Sequence, residues 1–212
     1  MVPDTRLLTL TQWLSPAFPT GAFAYSHGVE TAITRGWIAD ATGLGAWLRD
    51  ALIQGTGRTD VIWLRLAASG ADPEAVNAQC RSFATGWERL READRQGAAF
   101  SRTAAAVWDL DLPPLLLPVA VGRAVGLLGI DPDPAAAVYL QAFVTNLVSA
   151  AMRLMPLGQT DGQRVIYALA PAVLATVDDT RGATEDDVFS NTFLGDVAAM
   201  GHETQEPRLF QS

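Results

Sequence analysis

Apolar residues recur at helical spacing over most of this chain. Leu44, Trp47, Leu48, Ala51 and Leu52 follow one another at three and four residues after Asp40, and Ile62, Leu64 and Leu66 continue beyond Gly55 and Gly57. The two glycines predict a break or kink between these runs. Asp72-Pro73-Glu74 and Asp133-Pro134 each put a side-chain acceptor at an N-cap and a proline at the first helical position, where its missing N–H costs nothing. Thr160 and Gln163 have capping-box spacing. Together these signals predict helices near 73–90, 134–153 and 161–177, with others near 22–35, 92–109 and 185–196. Leu112 to Gly129 reads as a proline-rich connector ending in a short helix, and Pro171 should bend or split its helix. No alternating strands, fixed-period repeat or low-complexity linker interrupts the pattern. The expected fold is all-α: one domain over residues 1–212, a helical bundle of roughly eight to ten helices, with irregular ends near 1–20 and 198–212.

Composition adds an apolar surplus. Hydrophobic residues make up 49% and charged residues 18% of the 212, enough for a core and for a buried partner interface besides. The net charge of -8 and pI near 4.6 repel polyanions, so nucleic acid is not an expected partner. A single cysteine, Cys80, reads as a small buried hydrophobe, and MVPDTRLLTL lacks the features of a signal peptide. A cytoplasmic location is expected. Ala135 to Met152 carries no formal charge, yet Gln141, Thr145 and Ser149 beside Asn146 form a polar stripe. That stripe favours a core helix of a soluble protein without membrane contact, over the alternative of a membrane span.

The densest chemistry lies in LSPAFPTGAFAYSHGVE, residues 14–30. Ala24-Tyr25-Ser26-His27-Gly28 departs from the G-x-S-x-G nucleophile elbow only at its first position, and His202 follows later in the chain. An elbow needs a strand to deliver the serine, and Pro16, Pro19 and Gly21 precede this one. A serine esterase using Ser26 and His202 is therefore the weaker alternative. On a helix Ser26 and His27 would not face each other, whereas His27 and Glu30, three apart, could meet. His27, Cys80 and His202 lie too far apart for a local metal site, and GTGRTD at 55–60 lacks the lysine of a phosphate loop. No catalytic residue, metal ligand or cofactor is expected.

Recognition is what remains. Pro16 and Pro19 stiffen the entry to Phe18, Phe23 and Tyr25, which makes these aromatics candidate anchors. Tyr25 also shares a prospective helical face with Ala22, Val29 and Ile33, a core reading. At the other end, Arg208-Leu209-Phe210 after Pro207 forms either a tail docked on its own domain or an arm ordering on a partner. In the second case Arg208 would fork onto a carboxylate and Phe210 fill a pocket. ERLREADR, 88–95, mixes both charge signs and reads as an exposed helix face.

Three separated blocks, SPAFPTGAFAYSHGVETAITRGWI, VGRAVGLLGIDPDPAAAVYLQAFVTNLVSAAMRLMPLGQTDGQRV and HETQEPRLFQS, together resemble the urease accessory protein F family, UreF. The resemblance covers nearly the whole chain. It implies a cytoplasmic all-α homodimer without enzymatic activity. It also implies binding of accessory protein D (H in some species) and recruitment of the GTPase accessory protein G. The assembly would then dock on apo-urease for nickel insertion, with the GTPase tuned by this component. Family roles in partner contact fall on Tyr25 and Arg208. Their neighbours in the same blocks, Phe18, Phe23, Ser26, Glu30, His202, Glu203, Leu209 and Phe210, complete the candidate partner-binding set. Relatives often end in RLFRS, and Gln211 here replaces the second arginine.

Overall fold

The structure, a computed structural model, describes residues 5–212. The first four residues of the expected irregular N-terminus lie outside that range. Ten α-helices follow in order: α1 Thr5–Trp13, α2 Val29–Thr34, α3 Ala41–Gln54, α4 Thr56–Ala68, α5 Pro73–Ser82, α6 Trp87–Trp108, α7 Leu117–Leu127, α8 Pro132–Leu154, α9 Gln159–Asp179 and α10 Phe193–His202. Two single turns of 3₁₀-helix lie at Ala22–Ala24 and Glu185–Asp187, and no strand occurs among the described residues. The fold is all-α.

One continuous core runs from Leu10 in α1 to Ala198 in α10. It is built where α7 packs between α4 and α6, and where α9 lies across α3 and α8. The α4–α7 crossing is close because Gly122 presents no side chain. A Cβ there would stand 2.1 Å from the Leu64 carbonyl oxygen. Gly97 does the same for α6, since a Cβ would fall 2.0 Å from the Leu115 carbonyl oxygen. Cys80 is buried in this core. Helix α8 is long and apolar enough to cross a membrane, but half of its most apolar window is buried inside the molecule. It packs against α9, α4 and α2.

Several boundaries differ from expectation for physical reasons. The N-terminal segment is regular at Thr5–Trp13, where Leu10 and Trp13 are drawn into the core. No helix spans 22–35: Tyr25 is extended, and His27 and Gly28 have φ of 57° and 79°, which breaks the run before α2. Ala22, Tyr25, Val29 and Ile33 therefore share no face. The region 73–109 divides between Ser82 and Trp87, where the Glu203 carboxylate accepts the Trp87 N–H at 2.8 Å and so starts α6 early. Helix α8 is capped by Asp131, whose carboxylate accepts from the Asp133 N–H. Asp133 is taken instead by Arg65 and Arg181 at 2.8 and 2.7 Å.

Gly158 precedes α9, so Thr160 and Gln163 form no capping box. Pro171 does not split α9. Both it and Tyr167, four residues earlier, are exposed, so the carbonyl left without a donor lies on the wet side. The helix expected at 185–196 is a single turn at Glu185–Asp187, then non-helical chain to Thr192 held by Arg58 donating to the Asp187 carbonyl and the Asn191 N–H to the Gln54 carbonyl, and from Phe193 it is α10, which runs on to His202 inside the end expected to be irregular. The break at Gly55, the Asp72 cap and the short helix after the 112–116 connector are found as the sequence indicates.

Candidate partner-binding site

The loop at residues 24–30 meets the C-terminal tail. After the 3₁₀ turn at Ala22–Ala24, the left-handed pair His27-Gly28 turns the backbone so that Ser26 faces the tail and Glu30, in the first turn of α2, points inward. Only glycine fits position 28, because a Cβ would lie 2.9 Å from the Ala199 nitrogen of α10. The tail follows α10 back across this surface. The Gln211 N–H donates to the Ala24 carbonyl at 2.8 Å, and the Ser26 N–H donates to the Ser212 carbonyl at 2.8 Å. The Ser26 hydroxyl donates to the same carbonyl at 2.5 Å.

Beneath the tail sits a buried ionic cluster. Glu30 accepts the Leu209 and Phe210 N–H groups at 2.6 and 2.9 Å and faces His202 Nε2 at 3.0 Å. Glu88 faces His202 Nδ1 at 2.6 Å and accepts Arg208 Nη1 at 2.5 Å. His202 is wholly buried. Its two ring nitrogens face one acidic side chain each. Burial pushes the Glu30 carboxyl up, but the bonds from His202, Leu209 and Phe210 outweigh it and hold the group below the usual carboxylate range.

One turn along α6 the pattern repeats. Glu92 accepts the Ser212 hydroxyl at 2.6 Å, pairs with Arg89, and lies 3.9 Å from His27 Nδ1. Burial opposes its charge, yet Arg89 and His27 win and draw its pKa down to about 2. His27 itself is lowered to about 4, chiefly by burial and then by Arg89. The tail is thus held by main-chain bonds to α2 carboxylate and loop, and by side-chain bonds to α6.

The candidate residues divide into three groups. Phe18 is core, 5.5 Å from the Phe100 ring and 6.4 Å from Trp108. Tyr25, Ser26, Glu30, His202 and Phe210 are buried at the junction of loop, cluster and tail. Glu203 caps α6, and Phe23, Arg208 and Leu209 keep substantial exposure, with Phe23 at 72% and Leu209 at 55%. Arg153 ties the exposed pieces together. It donates to the Phe23 carbonyl at 3.1 Å while its guanidinium lies 4.4 Å over the Phe210 ring. The pocket for Phe210 is therefore on its own chain. Arg208 meets its carboxylate on the same chain too, through one nitrogen rather than a fork.

His27 and Glu30 do not meet, because the left-handed turn separates them; His27 contacts Thr56 and Glu92. Nor does Ser26 bond to His202, whose nitrogens face Glu30 and Glu88. A nucleophile elbow has no strand to sit on among the described residues. Sequence reasoning missed Glu88 and Glu92. ERLREADR looks like a mixed-charge solvent face, but Glu88, Glu92 and Gln96 recur every fourth residue and are all buried. That period was the available signal. Gln211 accepts from Arg95 Nη1 at 2.9 Å.

Beside the junction lies a cavity of about 390 Å³, lined by Ser15, Phe23, Gln96, Tyr139, Thr145 and Asn146 among others. Asp60 borders it, bonded to the Tyr139 hydroxyl at 2.7 Å, and burial raises its carboxyl to about 6. Among the described residues no group of three or more His, Cys, Asp or Glu is placed to hold a metal ion.

The UreF family model matches residues 38–170. A urease accessory protein UreF of Cereibacter sphaeroides is 51% identical over 209 residues, 99% of this chain and 100% of that protein. The proteins of the same name from Ruegeria pomeroyi and Jannaschia sp. are 44% and 42% identical, covering 99% and 97% of this chain and 98% and 94% of theirs. With ten helices closed by a docked tail, and with identity of this order from end to end, the chain belongs to the UreF family of urease accessory proteins.

Proposed function

We propose that this chain is a non-catalytic adaptor in urease maturation. It acts as a single cytoplasmic unit and as a homodimer, bridges accessory protein D (H) to the GTPase accessory protein G, and promotes GTP-dependent nickel insertion into apo-urease while modulating the GTPase. Nickel is cargo of the assembly and the chain carries no cofactor of its own. The observation that supports this best is the junction of tail and loop. An ionic cluster buried under the tail fixes Arg208 and Leu209 in place, and Arg153 holds the Phe23 carbonyl beside them, so exposed side chains are presented on a stiff support. Anchors held rigid before contact lose little entropy on binding. Tyr25, Ser26, Glu30, His202 and Phe210 then serve recognition indirectly, by shaping the backbone that carries the exposed residues. Glu203 contributes by fixing the start of α6.

Co-expression with accessory proteins D and G, followed by size exclusion, tests the reading. Co-elution of the three, with a changed rate of GTP hydrolysis by G, is expected. Elution of this chain apart from both would overturn it.

A further inference from the structure

The cavity beside the junction holds a carboxylate without a counter-charge. It opens between residues 11–23, α6 and α8, and its walls are mostly apolar. On α8, Val138, Ala142 and Thr145 recur at four and three residues, are all half-buried and line one wall. Gln141 and Asn146 of the polar stripe border the same space. The charged side chains on the walls are Arg89, Glu92 and Asp60. Arg89 pairs with Glu92. Asp60 makes no ion pair among the described residues: its Oδ2 accepts the Tyr139 hydroxyl at 2.7 Å, and no donor reaches Oδ1.

The groups that face Asp60 are Tyr139 of α8, Arg89 and Glu92 of α6 and, on α5, the Cys80 thiol, which burial pushes up and keeps neutral. His27, also on the wall, is lowered to about 4 and is uncharged near neutrality. Burial is the largest influence on the Asp60 carboxyl and raises it to about 6. Near pH 7 an ionised carboxylate therefore stands against the cavity, and its desolvation is not offset by a cation of its own. The volume of about 390 Å³ lies within the range of small-molecule pockets, roughly 300–1,000 Å³. No group of three or more His, Cys, Asp or Glu among the described residues is placed to hold a metal ion, and apolar walls suit an ion with an organic body better than a hydrated inorganic one.

We infer that this cavity is a binding site for a small organic cation, whose ammonium group pairs with Asp60 Oδ1 and whose apolar body lies along Val138, Ala142 and Phe143. The Tyr139 hydroxyl fixes the carboxylate, so little order is lost when the cation arrives. The site goes beyond the adaptor reading and does not depend on it. Phe23 both lines the cavity and is 72% exposed, so an occupant would sit against a side chain presented to partners.

The test is an NMR titration of the isotope-labelled full chain with benzylamine, a cation at pH 7.5. Saturable shifts are expected at residues 60 and 138–146, with a Kd of about 1 mM or tighter. Asp60→Asn, checked by circular dichroism, should weaken binding at least about tenfold, and benzyl alcohol, of the same shape without the charge, should bind the wild type at least about tenfold more weakly. At pH 5.5 about a quarter of Asp60 is ionised, so benzylamine should bind the wild type about fourfold more weakly than at pH 7.5. That comparison needs no variant. Replacing sodium chloride by potassium chloride at equal ionic strength should leave the affinity unchanged. Absence of shifts at these residues at about 10 mM benzylamine would overturn the proposal. So would equal affinity of wild type and Asp60→Asn, or of amine and alcohol, and competition by potassium would replace the organic cation with an inorganic one.

Discussion

Glu30 holds more of the tail than any other side chain. Its carboxylate takes the Leu209 and Phe210 N–H groups together with His202 Nε2, the Leu209 bond part-buried and the other two buried. Glu30→Ala leaves the buried His202 ring and the Leu209 and Phe210 amides without their acceptor at once, and should cost about 3 kcal/mol, as the loss of one partner from a buried pair does. Amide hydrogen exchange should show residues 209 and 210 losing protection while the α4–α7 core keeps its own. Asp60 gives the opposite kind of test. Its folded-state pKa is raised to about 6, so its contribution to stability is fully present below about 3.8 and is lost as pH rises through 6. Asp60→Asn, which keeps an acceptor for the Tyr139 hydroxyl, should therefore stabilise the protein by roughly 3 kcal/mol at pH 7.5 and leave it unchanged near pH 3.5. Urea melts at the two pH values decide this. Equal effects at both would place the burial of Asp60 in doubt.

Among the elements, backbone contact decides what substitution does. Alanine within a helix is ordinarily favoured over glycine by about 1 kcal/mol. At Gly122 the sign should reverse, because the new Cβ would meet the Leu64 carbonyl oxygen of α4 and force the helices apart. Gly122→Ala should lower stability by about 2 kcal/mol or more, read as a fall in Tm. A Tm that rises would contradict the close crossing. The helices themselves were legible where local signals and burial agree: the Asp72 cap, the Gly55 break and the apolar run of α8. They were not legible where a distant residue sets the boundary. Glu203 starts α6 from more than a hundred residues away, and Arg65 and Arg181 take Asp133 from the cap position that local spacing assigns it. Local spacing carries no trace of such partners. The candidate site was half visible for the same reason. The residues of the first and last blocks could be picked out by their type, whereas Glu88 and Glu92 were masked by the arginines around them until the fold showed which side of α6 is buried.

On the scale of the whole molecule, the loop at residues 24–30, the C-terminal tail and the first two turns of α6 converge to make one rigid surface. The tail is ordered by its own chain, which changes what a partner must do. It finds Phe23 and Leu209 already placed, with Arg153 between Phe23 and the Phe210 ring, and need not order the segment as it binds. Arg208 keeps its charge partly exposed while anchored to Glu88, so it can serve both the tail and an incoming carboxylate. Arg208→Ala should then weaken assembly by about 2 kcal/mol without unfolding the protein. The most direct measurement is the affinity for accessory protein D of the wild type and of Phe23→Ala combined with Leu209→Ala, both checked for an unchanged Tm. Loss of affinity by at least about tenfold, roughly 1.4 kcal/mol, is the predicted result. Equal affinity for the two proteins, both fully folded, would contradict the assignment of this surface to partner recognition.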